Sequence, residues 1–407
     1  MLLAILIVIP MVAFTRPDRP LDPELVGVLN PELEVGVIDQ GFSLRYVRAN
    51  IYSLIQFNEL PGLGRRHDGF GDSFVNTVRE IFDFSGHRYF IVEFHPFGYI
   101  IFDNRFTTVL EMSVDSASPF VNQNGALIYG GPTHYYIMPD AQPRNGYALF
   151  IHTVLGTEML VNQEEMQVLR AYSTMMAHSV ENTANETVLE ESIMSSSDSI
   201  NPFFITGTTI VDLSQWRVIA NTDTSGFNQG GNCGYVAAAL VVYYHFRVLG
   251  WNQFVSPILH LTAGRLNVNL VRGIQGNRPN SAWGPDVAGA MSQWSSAHGA
   301  GWLILGVPFN VLPANTLLLP SSSQIFNLIQ QDRPVILFGE MRTAANNNLV
   351  GQGKIRHAIV IHGMDRHARL FSTDWYYVAH FGWGTSTNRV YFHDSVSNIF
   401  RGSAVFF

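Results

Sequence analysis

The chain has 407 residues, 47% of them apolar and 14% charged, with a formal net charge of −8. That length exceeds one ordinary core and predicts two domains, while the acidic balance without a basic stripe excludes a nucleic-acid binder. A single cysteine excludes an internal disulfide and a cysteine-based zinc site. The cations are arginines except for Lys354.

Residues 2–14 form an apolar run of 13. It is shorter than the ~20 residues that span a bilayer and matches the apolar core of a signal peptide. No basic residue precedes it, and Arg16 and Arg19 follow it. A secreted or surface location is the expectation. Residues 15–34 carry four prolines and read as an extended linker. Asp72 is a helix N-cap, and Phe74, Val75, Val78 and Ile81 mark the apolar side of a helix reaching about Phe82. Strands are predicted over His87–Phe94, Tyr99–Asp103, Thr107–Val114 and Leu127–Tyr129, separated by turn chemistry such as Ser-Gly and Asn-Gln-Asn-Gly. A helix over about Gln163–His178 closes this antiparallel α+β unit, residues 35–180. Its histidines, His87, His95 and His134, are scattered and read as surface or satisfied core residues. Residues 181–202 are acidic and serine-rich, the composition of an exposed linker open to nicking.

The second unit spans 203–407. Its first long helix starts at Cys233 and ends near Val248; it is apolar on all faces, which marks a buried central helix. Helices follow near Asp286–Ala297 and from Ser322-Ser323-Gln324 through Ile329, the latter stopped by Asp332-Arg333-Pro334. Strands are predicted at Val335–Phe338, His357–Ile361, Trp375–His380 and Arg389–His393. A helical part therefore carries the cysteine and a β-rich part the histidines, with a cleft between them.

A glycine-rich loop leads into Cys233, so the thiol lies at a helix N-terminus, where unpaired N–H groups and the helix dipole favour thiolate. His357 follows 124 residues later on an apolar strand. That order suits a cysteine nucleophile and a histidine base; the competing reading is a small buried hydrophobe. Histidines 357, 362, 367, 380 and 393 raise the question of a metal. His357 and His362 are five apart on a strand and face opposite sides, and no carboxylate-rich helix accompanies them. No metal or cofactor is expected.

The strings Gly231-Asn232-Cys233-Gly234-Tyr235-Val236-Ala237-Ala238-Ala239, His357-Ala358-Ile359-Val360-Ile361-His362-Gly363 and Tyr377-Val378-Ala379-His380-Phe381-Gly382-Trp383-Gly384 resemble the papain-like cysteine peptidases, nearest in look the streptopain-like enzymes of bacteria. The resemblance covers about residues 203–407. It implies an α+β fold: a papain-like C-terminal domain preceded by a smaller, prodomain-like unit that inhibits it. It also implies Cys233 as nucleophile, His357 as general acid–base and a protein or peptide as substrate. The family places an oxyanion-hole glutamine six residues before the cysteine; here that residue is Phe227, and Gln229 or Asn228 is the nearest substitute, Asn228 also being able to contact substrate. The family's asparagine that orients the histidine is replaced by His380, whose neutral imidazole could accept from His357. Phe381 stands where a shielding tryptophan is usual, and Trp383 is retained; both are read as lining the substrate site. Two other functions fit the same residues: a catalytically impaired relative that binds peptide or cell-wall material, and a transamidase or amidase acting on a non-protein substrate.

Overall fold

The fold is described by a computed structural model covering residues 74–105, 108–140, 146–195, 207–227, 231–248, 264–279, 283–304, 315–318, 320–368, 373–383, 389–400 and 403–406. The apolar run at 2–14, the linker at 15–34, Asn228 and Gln229 lie outside the described residues.

The first unit is mostly strand: β1 (Phe74–Phe82), β2 (Arg88–His95), β3 (Tyr99–Phe102), β4 (Val109–Ser113), β5 (Ala126–Tyr129), β6 (Tyr135–Met138), β7 (Ala148–His152) and β8 (Glu158–Val161). Helix α1 (Gln163–Ser195) follows. β1 corrects the helix expected over this stretch. Its apolar residues repeat at helical spacing because each face of the strand sends a residue into a core. Val78 enters one core and Ile81 the other, while β2 pairs along the whole strand. A strand with apolar residues on both faces cannot be told from a helix by periodicity. Helix α1 is longer than predicted and runs into the stretch read as a linker, so residues 181–195 are helical.

The second unit adds β9 (Gly207–Asp212), α2 (Arg217–Ala220), α3 (Cys233–Val248), α4 (Val268–Gln275), α5 (Gly284–Ile304), β10 (Asn315–Leu318) and α6 (Ser322–Gln330). It ends with β11 (Val335–Gly339), β12 (His357–Ala368), β13 (Thr373–His380), β14 (Val390–His393) and β15 (Ser403–Phe406). Helix α6 begins with a capping box, the Ser321 hydroxyl and the Gln324 side chain each accepting from the other's backbone N–H.

Among the described residues all fifteen strands belong to one hydrogen-bonded sheet in the order β10-β15-β11-β12-β13-β14-β4-β3-β2-β1-β5-β6-β7-β8, with β9 added beside β12. The sheet crosses the predicted domain boundary where β14 pairs antiparallel with β4, Phe392 opposite Glu111 and Tyr391 opposite Met112. The α+β character stands, and the described strands of the two predicted units share one sheet. Helix α3 packs on β11 and β12, and its Val236–Val242 stretch is wholly buried. Burial on all sides explains a helix with no polar face. The opposite face of the sheet has its own cluster, running from Val78, Phe90 and Ile100 through Met112 to Tyr391 and Tyr376.

Candidate active site

Cys233 is the first residue of α3, and the N–H groups of Tyr235 and Val236 turn back onto the Asn232 carbonyl to start the helix. Gly231 before it takes a φ of 84°, a left-handed conformation in which a glycine is at ease. The cysteine is free and half-buried. The helix packs on β12, and the backbones of Gly234 and of Ala358, the residue after His357, lie near enough to the sulfur to pull its pKa down. Helix and strand thus bring Cys233 towards the start of β12, 124 residues further along the chain.

His357 opens β12 opposite Gly339. Its Nε2 lies 2.7 Å from the Phe381 carbonyl. A carbonyl can only accept, so Nε2 carries the proton and, in the neutral ring, Nδ1 is left with a lone pair able to take a proton. The backbone of Phe381 therefore orients this imidazole. His380 does not: its Nε2 donates to the Thr222 carbonyl at 2.9 Å, and its Nδ1 accepts from the Gly382 N–H at 2.9 Å. Both nitrogens are committed to backbone, which corrects the expectation that this ring would hold His357. Its contacts tie the end of β13 to the loop before Cys233.

Phe381 is also placed differently from the expectation. Its side chain is fully buried, edge-on to Trp383 and tilted against Phe392, and it contributes to the core instead of facing a substrate. Trp383 lies against the His357 ring, with centroids 4.9 Å apart. Two further neighbours come from the first unit: His152 at 5.2 Å and Tyr135 at 6.2 Å, both edge-on. Sequence reading missed these two residues and His134. Their strands are more than 200 residues upstream of His357, and no local motif marks them.

The first unit also grips the loop that delivers His357. The His134 Nε2 donates to the Ile355 carbonyl at 2.8 Å, Glu165 accepts from the Gly351 N–H at 3.1 Å, and the Lys354 ammonium donates to the Glu158 carbonyl. Gly351 has a φ of 58° and lies so close to Met159 that an added Cβ would stand 2.6 Å from its sulfur. His134 is a satisfied core histidine, as expected, and it contacts the loop of the site.

Burial sets the charges. It pushes the Cys233 thiol above its ordinary value, although backbone hydrogen bonds from Ala358 and Gly234 and the nearby Arg356 guanidinium pull it down. This corrects the thiolate favoured by the helix start alone. Burial holds His357 down to about 3; the Phe381 carbonyl opposes that shift, and His134 and His152 reinforce it. His152 and His380 are each held near 4, again mainly by burial. The pair therefore rests as thiol and neutral imidazole. Among the described residues no group of three histidine, cysteine or carboxylate side chains gathers in a metal-binding arrangement.

No protein-family model matches the chain, and no curated protein matches it. Among solved structures it is similar to a fragment of prointerpain A, a cysteine peptidase precursor from Prevotella intermedia, in a cysteine-to-alanine mutant. Identity is 12% and the TM-score 0.29, with 82% of this chain and 98% of that one covered.

Proposed function

We propose that the chain is the latent precursor of a secreted or surface cysteine endopeptidase. The observation that supports this most is the packing of the helix that starts at Cys233 against β12, which starts at His357, with the sulfur near the Ala358 backbone. In this reading the thiol proton passes to His357 Nδ1 as the sulfur attacks a peptide carbonyl. The imidazolium then protonates the leaving amine, and water hydrolyses the thioester with His357 as base. The Cys233 N–H supplies one oxyanion donor, and Gln229 or Asn228 is the candidate for the second.

Latency follows from the first unit's hold on the site. His152 and Tyr135 back Trp383 against His357, and His134, Glu165 and Glu158 hold the preceding loop. His357 is then buried and Cys233 half-buried, both neutral, the protonation state least reactive for a thiol. Loosening the first unit would readmit water, lower the thiol and raise the imidazole towards an ion pair. The neutral pair also suits a second reading, a non-catalytic relative that binds peptide. The two separate on one experiment. The full chain and its Cys233→Ala variant are nicked within 181–202, then offered a denatured protein and an electrophilic peptidyl probe. The peptidase reading requires cleavage and labelling that appear on nicking and depend on Cys233. Absence of both after nicking, or cleavage surviving in Cys233→Ala, rejects it.

A further inference from the structure

A cavity of about 430 Å³ opens beside the loop that leads to Cys233, lined by Ser225, Gly226, Phe227, Arg265, Leu266, Asn267 and Val268. Phe227 stands six residues before the cysteine, and both pack against the main core. The loop is braced at its other end. The Thr222 carbonyl is held by His380, and Asp223 forms a parallel bridge with Arg265 through hydrogen bonds to Gly264 and from Leu266. The cavity wall is thus anchored to the end of β13, whose next residue, Phe381, orients His357.

Its chemistry is two-sided. Phe227, Leu266 and Val268 provide apolar walls. Arg265 is the one charged side chain of the lining. Its Nη2 donates to the Ser225 carbonyl at 3.0 Å, which fixes the head group at the cavity edge. The nearest carboxylate along this bridge, that of Asp223, accepts from the backbone N–H and hydroxyl of Ser225 instead. Among the described residues no acid stands within ion-pair distance of Arg265. A guanidinium has five N–H donors, so this one keeps donors for a ligand. In a chain of net charge −8, a fixed cation in an apolar-walled recess is a local reversal of field.

We propose that this cavity receives an acidic side chain of a bound peptide, its carboxylate paired with Arg265 and its stem laid against Phe227 and Val268. The proposal rests on the peptidase reading for its placement beside Cys233 but not for its chemistry, so the two can fail separately. The test uses the full chain with Cys233→Ser, which prevents turnover, and a fluorescein-labelled alanine-rich hexapeptide with one central Glu, beside its Gln and Lys counterparts. Anisotropy titration should give about two- to fivefold tighter binding of the Glu peptide than of the Gln peptide, the worth of an exposed guanidinium–carboxylate pair. That ratio should shrink with added salt. It should vanish in Arg265→Gln and favour Lys in Arg265→Glu. Equal binding of the Glu and Gln peptides to the chain with Arg265 intact, a preference that survives in Arg265→Gln, or no peptide binding at all overturns the proposal. Preferential binding by a chain that never cleaves would keep the pocket and reject the peptidase. Cleavage indifferent to Glu and Gln would do the reverse.

Discussion

Acid should unfasten this structure, and the size of the effect follows from its buried histidines. His357, His152 and His380 are each almost fully buried and are held at about 3, 4 and 4. In the unfolded chain they return to about 6.5. A base whose folded value is depressed contributes stability that is present above its unfolded value and lost as pH falls towards the folded one. At pH 5 each of the three forgoes ~1.5 pH units of proton binding in the folded state, about 2 kcal/mol apiece or about 6 kcal/mol together. His134 is shifted in the same direction and adds to the loss.

One group works the other way. Glu111 is fully buried beneath the hydroxyls of Tyr99, Tyr129 and Tyr135, and burial outweighs their three hydrogen bonds to raise it to about 7. A raised acid contributes stability that is present below its unfolded value and lost as pH rises through the folded one, so acidification from pH 7 to 5 returns about 2 kcal/mol. These four groups alone give a net loss of about 4 kcal/mol between pH 7 and 5, a large share of the 5–15 kcal/mol that holds a typical domain, and His134 and His245, the latter also held at about 4 by burial, enlarge it. Urea unfolding followed by far-UV circular dichroism at half-unit pH steps measures it. His152→Gln keeps a donor for the Thr133 carbonyl but removes one titrating group, so its loss over the same range should be about 2 kcal/mol smaller. A stability that is flat or rises from pH 7 to 5, or a His152→Gln variant with the parent's slope, would refute the reasoning.

Three more outcomes are expected. Iodoacetamide alkylation of Cys233 in the intact chain should gain rate only above the ordinary thiol range of ~8.5, and a plateau already reached below pH 7 would mean the sulfur is not desolvated as described. Gly351→Ala forces a Cβ onto Met159 at a left-handed φ, so it should cost about 1–3 kcal/mol and make Cys233 easier to alkylate at pH 7; unchanged alkylation would separate that loop from latency. His380→Ala removes the ring's hydrogen bonds with the Thr222 carbonyl and the Gly382 N–H and should cost about 1–3 kcal/mol, with His380→Asn recovering part of it; a melting temperature unmoved in both would show that the tie to the cysteine loop is idle.

Much of the second unit was legible from its residues. The Cys233 helix is apolar on every face and can only be central, and the start of α6 is marked by a capping box built from Ser321 and Gln324. The strand bearing His357 begins where predicted, although β9 lengthens its pairing as far as Ala368. The first unit was harder. β1 sends a residue into a core from each face, which erases the alternation that would have marked it, and the acidic stretch beyond residue 180 reads as a linker by composition although it continues a helix to Ser195. Two parts of the site lay beyond any sequence signal. The group that orients His357 is a backbone carbonyl, which every residue carries, so matching side chains to a family pattern pointed to His380. The residues enclosing Trp383 come from strands that only the folded sheet brings near.

The thiol shows why local reading of a reactive cysteine misleads. Everything visible around Cys233 in the sequence lowers its affinity for a proton: a helix start, a tight glycine turn and a histidine strand to come. The structure keeps those terms, as backbone hydrogen bonds from Ala358 and Gly234 and a nearby Arg356 charge, and still leaves the thiol raised. Desolvation decides the sign, and it depends on what packs over the sulfur and its partner. On the His357 side the N-terminal unit contributes through Tyr135 and His152 on Trp383 and His134 on the Ile355 carbonyl. Under the proposed function, loosening that packing would readmit water, and the nearby Ala358 and Gly234 backbone and the Arg356 charge would then favour a thiolate beside an imidazolium.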